Sequence, residues 1–142
     1  MKNIYIITGG TMVHITPHFS VAAPAYGKVG SEIYARFSLV LKEKNLENRY
    51  RIFLIKTKMA GLNNTETVEH LKSLNIDNAI ETNDDLEAFV SCVSAKTESV
   101  GIIMSSAICD FEPEELNAYE GEKAVTVSEF GKDKKDCIKL IH

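Results

Sequence analysis

Apolar residues along the chain follow two rhythms that alternate. Asn3 to Thr8 is a nearly continuous apolar run, rich in Ile and Tyr and stopped by Gly9-Gly10-Thr11. A short run of this kind closed by glycine reads as a buried parallel strand. From Lys28 the period changes: Val29, Ile33, Phe37, Val40 and Leu41 recur at helical spacing, with Lys42, Glu43, Lys44 and Glu47 on the wet side and at the end. Tyr50 to Thr57 predicts a second strand. Asn63 and Asn64 punctuate a turn, and Thr65 is the expected N-cap of a short helix carrying Val68, Leu71 and Leu74. Ile76 to Glu81 reads as a short third strand. Asn83-Asp84-Asp85 is a cap cluster before a helix with Leu86, Phe89, Val90 and Val93. Val100 to Met104 is a further buried strand, ending in the small residues Ser105, Ser106 and Ala107.

Two stretches break the alternation. Residues 11–27, with Pro17, Pro24 and Gly27, show neither period and are expected to form a long loop. After Pro113 come an acidic loop (Glu112, Glu114, Glu115, Glu120, Glu122), a short strand at Val125 and Val127, and a basic loop, Gly131 to Lys135, entering a terminal strand. The order of strands and helices implies βαβ units. The expected fold is α/β: a three-layer, Rossmann-like parallel sheet with helices on both faces. One domain covers 1–142, with 114–142 as flap and tail. Such sheets hold ligands beyond the carboxyl ends of their strands, where the strand order reverses. Gly9-Gly10-Thr11 and Ser105 to Pro113 both fall at such ends.

Composition narrows the classes. With 142 residues, 44% hydrophobic and 25% charged, the chain suits one ordinary globular domain. A net charge of -4 gives no bulk attraction to nucleic acid or anionic lipid. No apolar run approaches the roughly 20 residues needed to cross a bilayer. Cys92, Cys109 and Cys137 are widely spaced, which argues against a disulfide framework or a zinc site. The first residues lack a signal-peptide pattern, so a cytoplasmic address is expected.

Glycines after a strand let backbone N–H groups approach an anion, so Gly9, Gly10 and Thr11 are phosphate-binding candidates; a plain tight turn is the alternative. The segment is neither GxGxxG nor a Walker loop. The second strand ends in Lys56-Thr57-Lys58, without the acid that usually marks a pyridine-nucleotide site. Asp110 is placed to accept from ribose hydroxyls or to cap a turn. Cys109 is expected to be a small apolar filler. His14 and His18 have helical metal-pair spacing, but Pro17 between them favours a loop or a phosphate contact, and no metal site is expected. His70 and His142 read as surface residues. Lys132, Lys134 and Lys135 are either a solvated face or a mobile flap that brings cations over a triphosphate.

Taken in order, Ile6-Ile7-Thr8-Gly9-Gly10-Thr11, Thr16-Pro17, Gly27-Lys28-Val29-Gly30, Ala107-Ile108-Cys109-Asp110-Phe111-Glu112-Pro113 and Gly131-Lys132-Asp133-Lys134-Lys135 resemble the phosphopantothenoylcysteine synthetase (phosphopantothenate–cysteine ligase) family, in its N-terminal part. The resemblance implies the coenzyme A pathway, with CTP or ATP and Mg2+ activating a phosphopantothenate carboxylate and cysteine then forming the amide. It implies Gly9, Gly10 and Thr11 at the phosphates, Ser105, Ala107, Asp110 and Phe111 along the nucleoside, and Gly27 among the cofactor-binding residues. Lys132 or Lys134 would be the catalytic flap lysine, with Lys123 competing for that role. No flavin is expected in this segment, and a homodimer is implied.

The chain departs from the family at several positions within residues 11–27. Where the family places an Asn before its Ser-Ser-Gly, Ala23 stands here, and Ala25 and Tyr26 replace the serines. His18-Phe19-Ser20-Val21 stands where the loop's usual Arg and Asn would be. The family also continues, past the position of His142, into further strands and its dimer contacts, so either a fragment of a longer chain or a degenerate relative is expected. Three functions follow: the ligase itself, a non-catalytic nucleotide-binding or interaction module on the same fold, and a pyridine-nucleotide reductase.

Overall fold

The computed structural model describes residues 1–16, 18–61 and 65–113, and beyond these the backbone of four short strands. Its centre is a parallel sheet of β1 (Lys2–Gly10), β4 (Tyr50–Lys56) and β5 (Ser99–Ala107) in the order β4-β1-β5. The central strand is the apolar run at the start of the sequence, and Tyr5, Ile6, Ile7 and Thr8 are all buried. Side chains alternate across a strand. Tyr5 and Ile7 join Ile55, Leu71, Ile80, Leu86, Phe89 and Val93 in one core, under α2 (Thr65–Ser73) and α3 (Asn83–Ser94). Thr8 turns to the opposite face and meets α1 (Lys28–Glu43): a side chain at Gly30 would overlap Thr8. Helices therefore cover both faces, as the alternation of periods requires.

The buried stripe of α1 is rotated from the one the spacing predicts. Gly30 and Leu41 are buried, whereas Val29 and Val40 are exposed. The glycine is what allows it, because the helix backbone sits directly on Thr8. Two helices end alike, on an asparagine in the left-handed region. After α1, Asn45 (φ 53) donates to Lys42 O at 3.0 Å and Leu46 to Leu41 O at 2.8 Å. After α2, Asn75 (φ 60) donates to Lys72 O at 3.0 Å and Ile76 to Leu71 O at 2.9 Å. Both are Schellman closures, with a hydrophobic residue following the asparagine. The cap of α3 is Thr82, one residue before the expected cluster: its hydroxyl accepts from Asp85 N, and Asp85 Oδ2 accepts from Thr82 N at 2.9 Å. Thr65 is itself the first helical residue of α2 rather than its cap.

Two expectations are corrected. Residues 76–81 are not a strand. Asp77-Asn78-Ala79 gives no apolar face there, and in place of a ladder the segment accepts isolated bonds, from Lys58 N to Ile80 O (2.8 Å) and from Met12 N to Glu81 O (3.0 Å). Residues 11–27 are not an unstructured loop: β2 (Met12–Thr16) and β3 (Phe19–Ala22) pair as an antiparallel hairpin. Its ladder shifts between His14 and Thr16, which hides an alternating pattern. Further on, β6 (Glu112–Pro113) pairs with β10 (Leu140–Ile141), and β7 (Asn117–Glu120) pairs with both β8 (Lys123–Thr126) and β9 (Asp136–Cys137), all antiparallel. The expected turn at Asn63 and Asn64 lies outside the described residues.

His70 is half-buried rather than a surface residue. Its ring stacks on Phe53 with centroids 4.0 Å apart and lies 5.6 Å from Tyr5, and its Nε2 is buried with no hydrogen-bond partner among the described residues. Burial, and then the charges of Arg51 and Lys96, hold its pKa below the ordinary value. The neutral ring is the form that the fold accepts. The stability this gives is complete above the unfolded pKa of about 6.5 and is lost as pH falls through the lower folded value. We expect urea midpoints to drop below about pH 6.5, and His70→Phe to flatten that decline.

Candidate functional site

At the carboxyl end of the sheet, β1 and β5 run on together: Gly9 pairs with Ser106, Gly10 with Ala107, and Thr11 N donates to Ala107 O at 3.0 Å. The loops after the two strands then close on each other. The Thr11 hydroxyl oxygen accepts the Cys109 N–H at 2.9 Å and donates to Asn83 Oδ1 at 2.6 Å. Asn83 Nδ2 donates in turn to Cys109 O at 2.8 Å. One buried threonine and the first residue of α3 thus clamp the end of β1 to the loop after β5.

Gly9 and Gly10 lie within β1 and are covered by the chain itself. Gly9 has φ 110, and a side chain there would overlap Thr57 and Ala60. One at Gly10 would overlap the Ala23 carbonyl and the Met59 sulfur. The glycines are needed because two loops lie on the strand end. Gly27 (φ 79) precedes α1 in the left-handed conformation, packed on Thr8 and Ala60, and gives the helix no side-chain cap. Thr57 Oγ1, just past the end of β4, and Ser106 Oγ, in β5 opposite Gly9, are buried without a partner among the described residues.

Of the remaining expected site residues, Ser105 pairs with Thr8 and accepts its hydroxyl at 3.4 Å, and Ala107 is half-buried. Asp110 and Phe111 are exposed on the loop beyond. Cys109 is 4% exposed, its thiol directed at Val21 O and Phe111 O, which fits a packing role. Lys132, Lys134 and Lys135 lie outside the described residues. Ala23, at the place of the family's Asn, donates its N–H to Thr11 O at 3.0 Å while its carbonyl faces Gly10.

Beside these residues opens a cavity of ≈ 490 Å³ lined by Met12, Tyr26, Lys58, Met59, Ala60 and Gly61. Tyr26 is 76% exposed. On its rim, Lys58 Nζ lies 3.0 Å from Glu81 Oε1, and His14 bridges Ser20 Oγ (2.7 Å from Nδ1) and Glu81 (3.5 Å from Nε2). Below them Asp85 is half-buried, which opposes its charge. The N–H groups of Thr82 and Glu81 and the Thr82 hydroxyl outweigh that and hold its pKa below the usual value. Sequence reasoning passed over Lys58, seen only as the lack of an acid, and Tyr26, seen only as a lost serine. Asn83 was legible as a cap residue but not as a clamp.

No family model and no curated protein matches this chain. Among solved structures it is similar to the DNA/pantothenate metabolism flavoprotein from Streptococcus pneumoniae, with a TM-score of 0.51 and 19% identity. The match covers 98% of this chain and 57% of that one. The shared feature is the fold: a mixed α/β, Rossmann-like domain. Among the described residues no helix is long and apolar enough to cross a membrane, and no group of three His, Cys, Asp or Glu is placed to hold a metal ion.

Proposed function

We propose that this chain is a nucleotide-binding relative of phosphopantothenate–cysteine ligase that holds its ligand at the carboxyl ends of β1 and β4 and does not complete the ligase reaction. The observation that carries the reading is the ≈ 490 Å³ cavity between Tyr26 and Lys58, next to the uncapped start of α1. Tyr26, Met12 and Met59 offer flat or adaptable apolar surface for a base. Lys58 and the free N–H groups at the start of α1 attract phosphate oxygens. The hydroxyls of Thr57 and Ser106 are the unpaired polar groups nearest Gly9. The phosphates belong at the helix start and Lys58, since the faces of Gly9 and Gly10 are occupied by Thr57, Ala60, Ala23 and Met59. CTP and ATP, with Mg2+, are the ligands to try first. The similarity to a flavoprotein of pantothenate metabolism is consistent with this choice.

The loss of chemistry follows from position 23. Forming the acyl-nucleotide has the carboxylate oxygen attack the α-phosphorus, so that negative charge builds on the phosphoryl oxygens as pyrophosphate leaves, and a donor aimed there stabilises that charge. The Ala23 methyl donates nothing, and its N–H is already given to Thr11 O. Removing one such donor costs roughly 10²–10³ in rate.

Two measurements test the reading. Titration calorimetry with CTP, ATP and NADPH should give heat with CTP or ATP, weakened about tenfold by Lys58→Gln. No heat with any of the three removes the nucleotide reading, and heat with NADPH alone replaces it with the reductase. Incubation with phosphopantothenate, CTP and cysteine should release no pyrophosphate above background. Release would restore the full ligase, and Ala23→Asn is the variant expected to gain it.

A further inference from the structure

We propose that the outer edge of β4 is a self-association surface, on which a second copy of this chain adds its own β4 antiparallel, about a two-fold axis at Ile52. Among the described strands β4 is at the sheet border, with β1 on one side. Its odd-numbered residues turn their N–H and C=O toward β1, as Thr57 N donating to Thr8 O at 2.9 Å shows. The even-numbered residues turn theirs outward. Part of that outer row is already used within the chain. Lys56 N donates to Thr67 Oγ1 at 3.2 Å, Thr67 Oγ1 donates to Leu54 O at 3.3 Å, and Tyr50 N donates to Leu46 O at 3.0 Å.

Four groups are left without a partner among the described residues: N–H and C=O of Ile52, N–H of Leu54 and C=O of Tyr50. They are complementary to themselves. An antiparallel pair centred on Ile52 exchanges both Ile52 bonds between the copies and joins each Leu54 N–H to the partner's Tyr50 C=O. The two groups that a regular ladder would also need there, Leu54 C=O and Tyr50 N–H, are the two already satisfied. Centring on Leu54 would instead oppose carbonyls that Thr67 holds.

The side chains favour the same register. The edge carries no Pro, Gly or bulge over Ile52-Phe53-Leu54, so it lacks the usual defences against pairing. Beside it runs a groove of ≈ 580 Å³, walled by Tyr34 of α1 and by Glu66, Glu69 and His70 of α2. Among the described residues neither glutamate has an ion pair. The register brings the partner's Arg51 opposite Phe53, on the glutamate side of the sheet. Each chain's own Arg51 already lies 4.9 Å from that ring. The chain's own Arg51 lines this groove without reaching ion-pair distance of either glutamate, so a basic side chain on the incoming strand adds a second cation beside two carboxylates, twice by symmetry. This face is distinct from the ligand end of the sheet, and from the dimer contacts that the family resemblance places beyond residue 142.

Sedimentation of the full chain over a range of concentrations is the test. The wild type should form a reversible dimer. Ile52→Pro removes only an outward N–H and leaves the bonds to β1 intact, so it should give a folded monomer with unchanged nucleotide binding. Arg51→Glu should weaken association by at least about tenfold, and Arg51→Glu with Glu66→Lys and Glu69→Lys should recover it. As a trap, Ile52→Cys sets two thiols on Cα atoms about 5.5 Å apart, within disulfide reach. Oxidation should link that dimer, and should link neither the wild type nor Leu54→Cys. A wild type that stays monomeric at every concentration overturns the proposal. So does a dimer that is indifferent to Arg51→Glu and not trapped by Ile52→Cys.

Discussion

Gly9→Ala is expected to lower stability by roughly 3 kcal/mol or more, and Tm by about 10 °C. Two costs add at this position. The backbone is held at φ 110, where an L side chain is strained, and the new methyl would overlap the Thr57 side chain and Ala60. The cost cannot be relieved by moving one flexible group, because Gly10 beside it is covered in the same way by Ala23 and Met59. Gly101→Ala is the control. A Cβ there meets nothing within 4 Å, so its change should stay within about 0.5 kcal/mol. Calorimetric melts of the two variants read the difference. Equal melts would mean that the strand end is not packed as described.

Thr11→Val is expected to cost about 2–4 kcal/mol. The swap keeps the shape and removes the hydroxyl, leaving the buried Cys109 N–H without an acceptor and Asn83 Oδ1 without its donor. The two ends of the clamp should then loosen together. Hydrogen exchange at the Cys109 amide should accelerate in Thr11→Val, while amides of the α3 interior change less. Thr11→Ser keeps both bonds and should lose only the packing of a methyl, about 1 kcal/mol. If Val and Ser variants behaved alike, the hydroxyl would not be what joins the two loops.

The residues of the clamp mark how far a sequence can be read. The strands on either side of it were legible, because an apolar run ended by glycine has few other readings. The three-layer plan followed from the change of period at Lys28 and again at Thr65. What failed was local. Residues 76–81 have the length of a strand but not its apolar face, and they form a loop held by isolated bonds rather than by a ladder. The hairpin of β2 and β3 has a shifted ladder, so its alternation does not register. The Gly9-Gly10-Thr11 segment carried a phosphate signal in its glycines, yet those glycines are equally what close loop packing demands. Only the neighbours Ala23, Thr57, Met59 and Ala60 distinguish the two, and they come from two other parts of the chain. His70 was misplaced for a similar reason. Its position on an amphipathic helix suggested solvent, and only the pairing of β1 with β4 brings Phe53 and Tyr5 against it.

The proposed nucleotide lies in the cavity between Tyr26 and Lys58. The most direct measurement is a titration of CTP, then ATP, into the isotope-labelled chain, followed through its backbone amide resonances. Shifts are expected only at Met12, Tyr26 to Val29 and Lys58 to Gly61, saturating with the ligand. Shifts confined to other residues, or no shifts with either nucleotide, would contradict that placement.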